Sequence, residues 1–288
     1  MNINIENLSL TYGQTTAVNN VSMKLNERKI YGLLGRNGAG KTSLLSIIGS
    51  FREATSGMIT INGEYPFENG DIMKDVNFLY DKNYKEESSN VKDILARANF
   101  YRPNFDATYA NYLIDLFKLP TNQEIKKFSK GMQSALNVTV GLASRCPITI
   151  FDEVYLGMDA PSRDLFYKEL LKEQETNPRM IILSTHLVSE MDYLFDEVII
   201  LHEGEVLLQQ PIDTLLEQSV AIFGRANNVD EVTKEKRVIH EEKLGDTKSA
   251  IIFDSFTKQE QQIASDKGLE LSTITLNELF IHLTKEAK

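Results

Sequence analysis

Residues 35–42 read GRNGAGKT, a glycine-rich run that ends in a lysine and a hydroxyl. Residues 148–153 read ITIFDE, an apolar run that ends in two carboxylates. The first has the composition of a loop that holds phosphate. Gly35, Gly38 and Gly40 let the backbone approach phosphate oxygens, and a helix starting after Lys41 presents free amide hydrogens to negative charge. Lys41 would reach the β- and γ-phosphates of a nucleoside triphosphate and the Thr42 hydroxyl would ligate Mg²⁺; Asn37 and Ser43 count among the nucleotide contacts of the same loop. In the second run Asp152 suits the Mg²⁺ shell. Glu153 is the candidate base that orients or deprotonates an attacking water, a role worth roughly 10²–10⁴-fold in rate.

Both runs need supports that hold them in place. Apolar residues 30–34 before the glycines and 42–48 after them predict a buried strand turning into a helix, and 148–151 predict a strand whose carboxyl end faces the ligand in a parallel sheet. Residues 180–183 predict another strand, with His186 just beyond it. Residues 2–34 and 57–63 read as short alternating strands with turns at Tyr12-Gly13 and Asn62-Gly63, an antiparallel lobe. Helical patterns cover 91–99, 107–118 and 131–144. Past residue 210 a short helix runs to 218. Strand-like runs follow at 220–223, 237–240 and 249–253, then a helix at 258–266, a strand at 269–273 and a last helix at 276–284, together a small α+β unit.

The order of these motifs resembles the ATP-binding cassette (ABC) ATPases over about residues 2–217. The resemblance implies an α/β P-loop NTPase with a mixed sheet core, an antiparallel β lobe and a helical subdomain at about 83–145. It places the cassette at 1–217 and a small C-terminal α+β unit at 218–288, and it implies ATP and Mg²⁺ as ligands. Tyr12, in LTYG, stands where the family stacks an aromatic on adenine. FSKGMQ, at 128–133, looks like the signature loop, in which Ser129 and the Gly131 amide contact the γ-phosphate held by the other subunit. LGMDAPSR, at 156–163, resembles the loop after the catalytic Glu, with Asp159 at the subunit contact. His186, in ILSTHLVSE, matches the switch histidine near the γ-phosphate. Asp81 occupies a position where the family usually carries Gln; as a carboxylate it could take an outer place around Mg²⁺ or water, without the amide's hydrogen-bond donors.

The Ser-Lys-Gly-Met spelling and the ending TLNELFIHLT, at 275–284, resemble the branch that drives exporters of drugs, peptides or bacteriocins. That implies a second cassette, identical or a paralogue, and a separate membrane permease, with this chain on the cytoplasmic face of the membrane and its groove near 82–90 receiving a helix of the permease. A soluble ABC ATPase acting on ribosomes or chromosomes is the alternative. An importer motor is a second one within the same class.

Composition is consistent with this. A length of 288 residues accommodates a cassette of about 200 residues with a real core plus a small appended unit. With 41 acidic against 31 basic residues the net charge is −10, which predicts no nucleic-acid partner because phosphate backbones would be repelled. The single cysteine, Cys146, excludes an internal disulfide and suits a reducing compartment. No apolar run reaches the length of a membrane span and residues 1–10 alternate like a strand rather than a signal peptide, so a soluble chain is expected.

Overall fold

The computed structural model describes residues 1–82 and 84–286. Residue 83, the expected start of the helical subdomain, lies outside them. Strands β1 (Ile3–Tyr12) and β2 (Thr15–Leu25) form an antiparallel hairpin with Tyr12 opposite Thr15. Ile3, Ile5, Leu8 and Leu10 of β1 are buried with Val18, Val21, Met23 and Leu25 of β2, while much of what lies between them faces water. Alternation of this kind marks a sheet with one face covered. Strand β3 (Ile30–Leu34) is different: all five residues are buried and it joins another sheet. The alternating lobe expected over 2–34 therefore ends at Leu25. A strand covered on both faces has no exposed side, so it reads as a continuous apolar run. After helix α1 (Lys41–Ile48), β4 (Ser56–Ile61) returns to the lobe and pairs with β1, giving the order β2-β1-β4.

Helix α2 (Gly70–Met73) leads into β5 (Val76–Tyr80). Then come α3 (Val91–Tyr101), α4 (Ala107–Leu116) and α5 (Lys130–Ala143), within a residue or two of the expected helices. Each is capped by a polar side chain, Asn90, Asp106 and Ser129 respectively, which accepts a bond from an otherwise unpaired first-turn amide. The chain continues through β6 (Ile148–Asp152), α6 (Ala160–Thr176), β7 (Met180–Thr185), β8 (Glu197–His202) and β9 (Glu205–Pro211). The second sheet has the order β5-β6-β7-β3-β8-β9, and β5, β6, β7, β3 and β8 run parallel. Tyr80, Asp152 and Ser184 lie side by side in register, as do Leu34 and Thr185, so the carboxyl ends of the central strands form one rim. The phosphate loop, the Asp-Glu pair and His186 all emerge from that rim.

The chain divides into two compact units, Met1–His186 with Tyr193–Gln209, and Leu187–Asp192 with Gln210–Lys288. The second contains α7 (Ile212–Glu217), β10 (Ser219–Arg225), α8 (Ala226–Thr233), β11 (Val238–Leu244), β12 (Thr247–Phe253), α9 (Lys258–Asp266), β13 (Glu270–Thr273) and α10 (Leu276–Glu286). Its strands form an antiparallel sheet of order β11-β12-β10-β13, closed over Ile222, Val229, Ala250, Ile252, Ala264 and Leu269. Helix α8 has no counterpart in the sequence reading: its segment, ANNVDEVT, is largely polar and buries only Ala226, Val229 and Thr233.

Candidate functional site

The turn from β3 into α1 is built without any capping side chain. Gly40 occupies the N-cap position with φ +101°, and no acidic residue lies in the first turn. A Cβ at Gly40 would run into the Ala17 carbonyl, so the left-handed backbone and the close approach of β2 both require glycine there. The first amides of α1 are thus left for an external acceptor, the electrostatic condition for anion binding. Lys41 is buried, and its ammonium donates to the Gly35 carbonyl at 2.7 Å and stands 3.5 Å from Glu153 Oε1. A cavity of about 370 Å³ is lined by Tyr12, Asn37, Gly38, Gly40, Lys41, Thr42, Ser43 and Glu153. Tyr12 is 39% exposed at its mouth and carries the Arg52 guanidinium 5.0 Å from its ring centroid.

Below the loop the Thr42 hydroxyl donates to Asp152 Oδ2 at 2.7 Å. The other carboxylate oxygen, Oδ1, is buried without a partner among the described residues. A carboxylate oxygen in that state beside a threonine hydroxyl fits a hard divalent cation such as Mg²⁺, which takes oxygen ligands. Burial pushes the Asp152 carboxyl above its ordinary value of 3.8, partly offset by the Thr42 hydroxyl. The folded chain then holds this proton to higher pH than the unfolded chain does, so the group's contribution to stability falls as pH rises from 3.8 through the folded pKa. Asp152→Asn is expected to raise the melting temperature of the nucleotide-free protein by about 2–4 °C at pH 8 and by less at pH 5. Thermal melts at both pH values check this; no gain at pH 8 would mean that ionised Asp152 carries no burial cost.

Glu153 follows β6 with φ +55°, a conformation that costs a non-glycine residue free energy. Its Oε1 lies 2.9 Å from His186 Nδ1. The next turn is held by Tyr155, fully buried, whose hydroxyl donates to the Ser184 carbonyl at 2.8 Å and whose ring stacks on Phe166. Lys41, Glu153 and His186 form one contiguous polar cluster at the rim.

Ser129, Gly131 and Asp159 are elsewhere. They line a different cavity, of about 340 Å³, with Phe117, Met132, Gly157 and Met158, and it shares no residue with the first. Ser129 Oγ accepts from the Met132 amide at 3.2 Å, which leaves its hydroxyl proton to donate outward. Asp159 caps α6 by accepting from the Ser162 amide at 3.0 Å, and the Ser162 hydroxyl together with that amide holds its carboxyl below the usual range. Asp81 takes a partner outside the Thr42–Asp152 pair. It is 61% exposed and ion-paired with Lys130, so the structure brings together Thr42 and Asp152 of the expected Mg²⁺ ligands without Asp81. A larger depression of about 610 Å³, lined by Arg28, Arg145 and Arg179 among others, contains none of these residues.

A family model described as ABC transporter matches residues 18–155. The Bacillus licheniformis bacitracin transport ATP-binding protein BcrA is 30% identical over 225 residues, 74% of this chain and 71% of that one. An ABC transporter ATP-binding protein of Methanocaldococcus jannaschii is 31% identical over 211 residues, 71% of this chain and 76% of that one. The chain belongs to the ABC transporter ATP-binding family. Its fold is that of the ABC cassette: a dimeric post-hydrolysis cassette bound to ADP and phosphate superposes with a TM-score of 0.64 at 19% identity, covering 73% of this chain and 98% of that one. As an ABC cassette it binds ATP and is an ATPase. Among the described residues no helix is long and apolar enough to cross a membrane.

Three contacts of this ABC site have partners that no motif announces: Arg52 over Tyr12, Lys130 (itself within FSKGMQ) on Asp81, and the Tyr155 hydroxyl on the Ser184 carbonyl, all made across the fold. The Phe-Asp-Glu strand end leads directly into Tyr155, but only its burial reveals the anchoring role.

Proposed function

We propose that this cassette is the ATP-driven subunit of an exporter, working as a pair of cassettes on a separate membrane permease at the cytoplasmic face of the membrane. The observation that carries the reading is the division of site residues between two cavities that share none of them. A site of that kind is completed when a second cassette turns its Ser129 and Gly131 toward the nucleotide on the first, with Asp159 beside the contact. The similarity to a bacitracin transport protein supports export of a peptide-like or amphipathic compound.

In this reading Tyr12 stacks on adenine, with Asn37, Gly38, Gly40 and Ser43 around the phosphates and Gly35 accepting the Lys41 ammonium until nucleotide arrives. Thr42 and Asp152 would hold Mg²⁺, which would supply positive charge against the phosphate oxygens. Glu153 accepts the proton of the attacking water, and His186, hydrogen-bonded to Glu153, orients that carboxylate. The rest is positioning and electrostatics, as phosphoryl transfer requires. ATP binds the closed pair more tightly than the open one, so it shifts the equilibrium toward closure and hydrolysis releases it.

Affinity purification of the tagged chain from gently solubilised native membranes tests the proposal. A polytopic membrane protein in near-equal amount is the expected companion. Recovery only from the soluble fraction, with ribosomal or chromosomal proteins, would replace the exporter reading with that of a soluble ABC ATPase.

A further inference from the structure

Lys130 stands at the first position of α5, directly after its cap Ser129, and no acidic residue occupies the first turn. A cation there opposes the positive end of the helix dipole. Local preference would not choose lysine at this place, and such violations concentrate where function compensates them. The compensation is visible: the Lys130 ammonium pairs with Asp81, the residue just past the end of β5. Beneath it the lysine stem is pressed against the loop that follows Glu153. A Cβ at Gly157 would fall 2.9 Å from both Lys130 Cγ and the Lys130 carbonyl, and one at Gly131 would fall 3.1 Å from the Gly157 carbonyl. From the start of the signature helix the side chain therefore touches two other segments at once: the strand end next to Asp152 and the turn between Glu153 and Asp159.

We propose that Asp81 and Lys130 form a positioning pair that fixes the signature helix to the nucleotide rim of its own subunit, so that Asp81 acts on the signature loop rather than on the metal. The pair sets where Ser129 and the Gly131 amide are held when a second cassette closes. This rests on the reading that those two groups complete the partner's site.

The test uses the full-length chain in four variants: Asp81→Asn, Lys130→Met, the charge swap Asp81→Lys with Lys130→Asp, and Ser129→Arg. ATPase turnover, KM and nucleotide affinity at saturating Mg²⁺ are measured in low and high salt. Each single variant is expected to lower turnover by about threefold or more at low salt, with ATP affinity unchanged within about twofold, and the swap to recover most of the loss. The loss should shrink at high salt, because an exposed pair is already screened there. A swapped protein that loses at least as much turnover as either single pair variant would overturn the proposal. So would a raised Mg²⁺ requirement confined to Asp81→Asn, which would return that carboxylate to the metal shell. Ser129→Arg separates the two levels: if it leaves turnover intact the shared-site reading fails, whereas if it abolishes turnover while the pair variants are silent, only the pair is refuted.

Discussion

Glu153→Gln is expected to leave ATP bound and to lower its turnover by about 10²–10⁴-fold, the usual worth of a positioned base. The substitution keeps the side-chain length and an oxygen that can stay near His186 Nδ1, 2.9 Å away in the native protein. What it removes is the proton acceptor and one negative charge 3.5 Å from the Lys41 ammonium. Triphosphate then meets less repulsion beside Glu153, so affinity should hold or tighten slightly. With binding intact and hydrolysis blocked, the closed pair of cassettes accumulates, and size-exclusion chromatography should show an ATP-dependent dimer that the native protein forms only transiently. The effect is large because the residue is held in place before nucleotide arrives. Its left-handed backbone is flanked two residues on by Tyr155, which is tied to the Ser184 carbonyl and stacked on Phe166, so the surrounding structure can sustain that conformation. Native-like turnover would remove Glu153 from the role of base. Loss of ATP binding would make it part of the phosphate site instead.

What could be read from the sequence was chemistry carried by neighbouring residues. GRNGAGKT and ITIFDE each contain their own ligands, and the apolar runs beside them become β3 and β6, whose five residues apiece are all buried. Their meeting, Thr42 on Asp152, joins positions 110 residues apart, and only the parallel register of the sheet brings it about. The strand-like runs past residue 218 also located the strands of the C-terminal sheet. Helix α8 escaped although Ala226, Val229 and Thr233 fall at the helical spacing i, i+3, i+7, because only two of those three are apolar in a largely polar segment. Asp81 shows the other limit. As a sequence position it suggested an outer metal ligand, but the partner it takes lies 49 residues away at a helix start where a lysine would not be expected.

Lys41→Ala is expected to weaken ATP binding by about 10²-fold or more, since charge-assisted contacts to phosphate are the strong ones and each tenfold is about 1.4 kcal/mol. The lysine has three donors. One is taken by the Gly35 carbonyl at 2.7 Å and a weaker one reaches the Arg36 carbonyl at 3.4 Å, which leaves the ammonium one direction free beside Glu153 in the cavity. The loop carbonyls and Glu153 surround the buried ammonium, and an incoming phosphate completes that shell instead of building a new one. Alanine leaves the free amides of α1 without the ammonium beside them, so residual binding should be weak and strongly dependent on salt. Calorimetric titration at fixed ionic strength measures the loss, and a thermal melt without nucleotide guards against misfolding. Together the two variants separate the site by function: Lys41→Ala should fail before ATP is bound, and Glu153→Gln only after. Unchanged affinity in Lys41→Ala, in a folded protein, would mean that the backbone of residues 35–42 holds the phosphates alone and that the lysine is there to organise the loop.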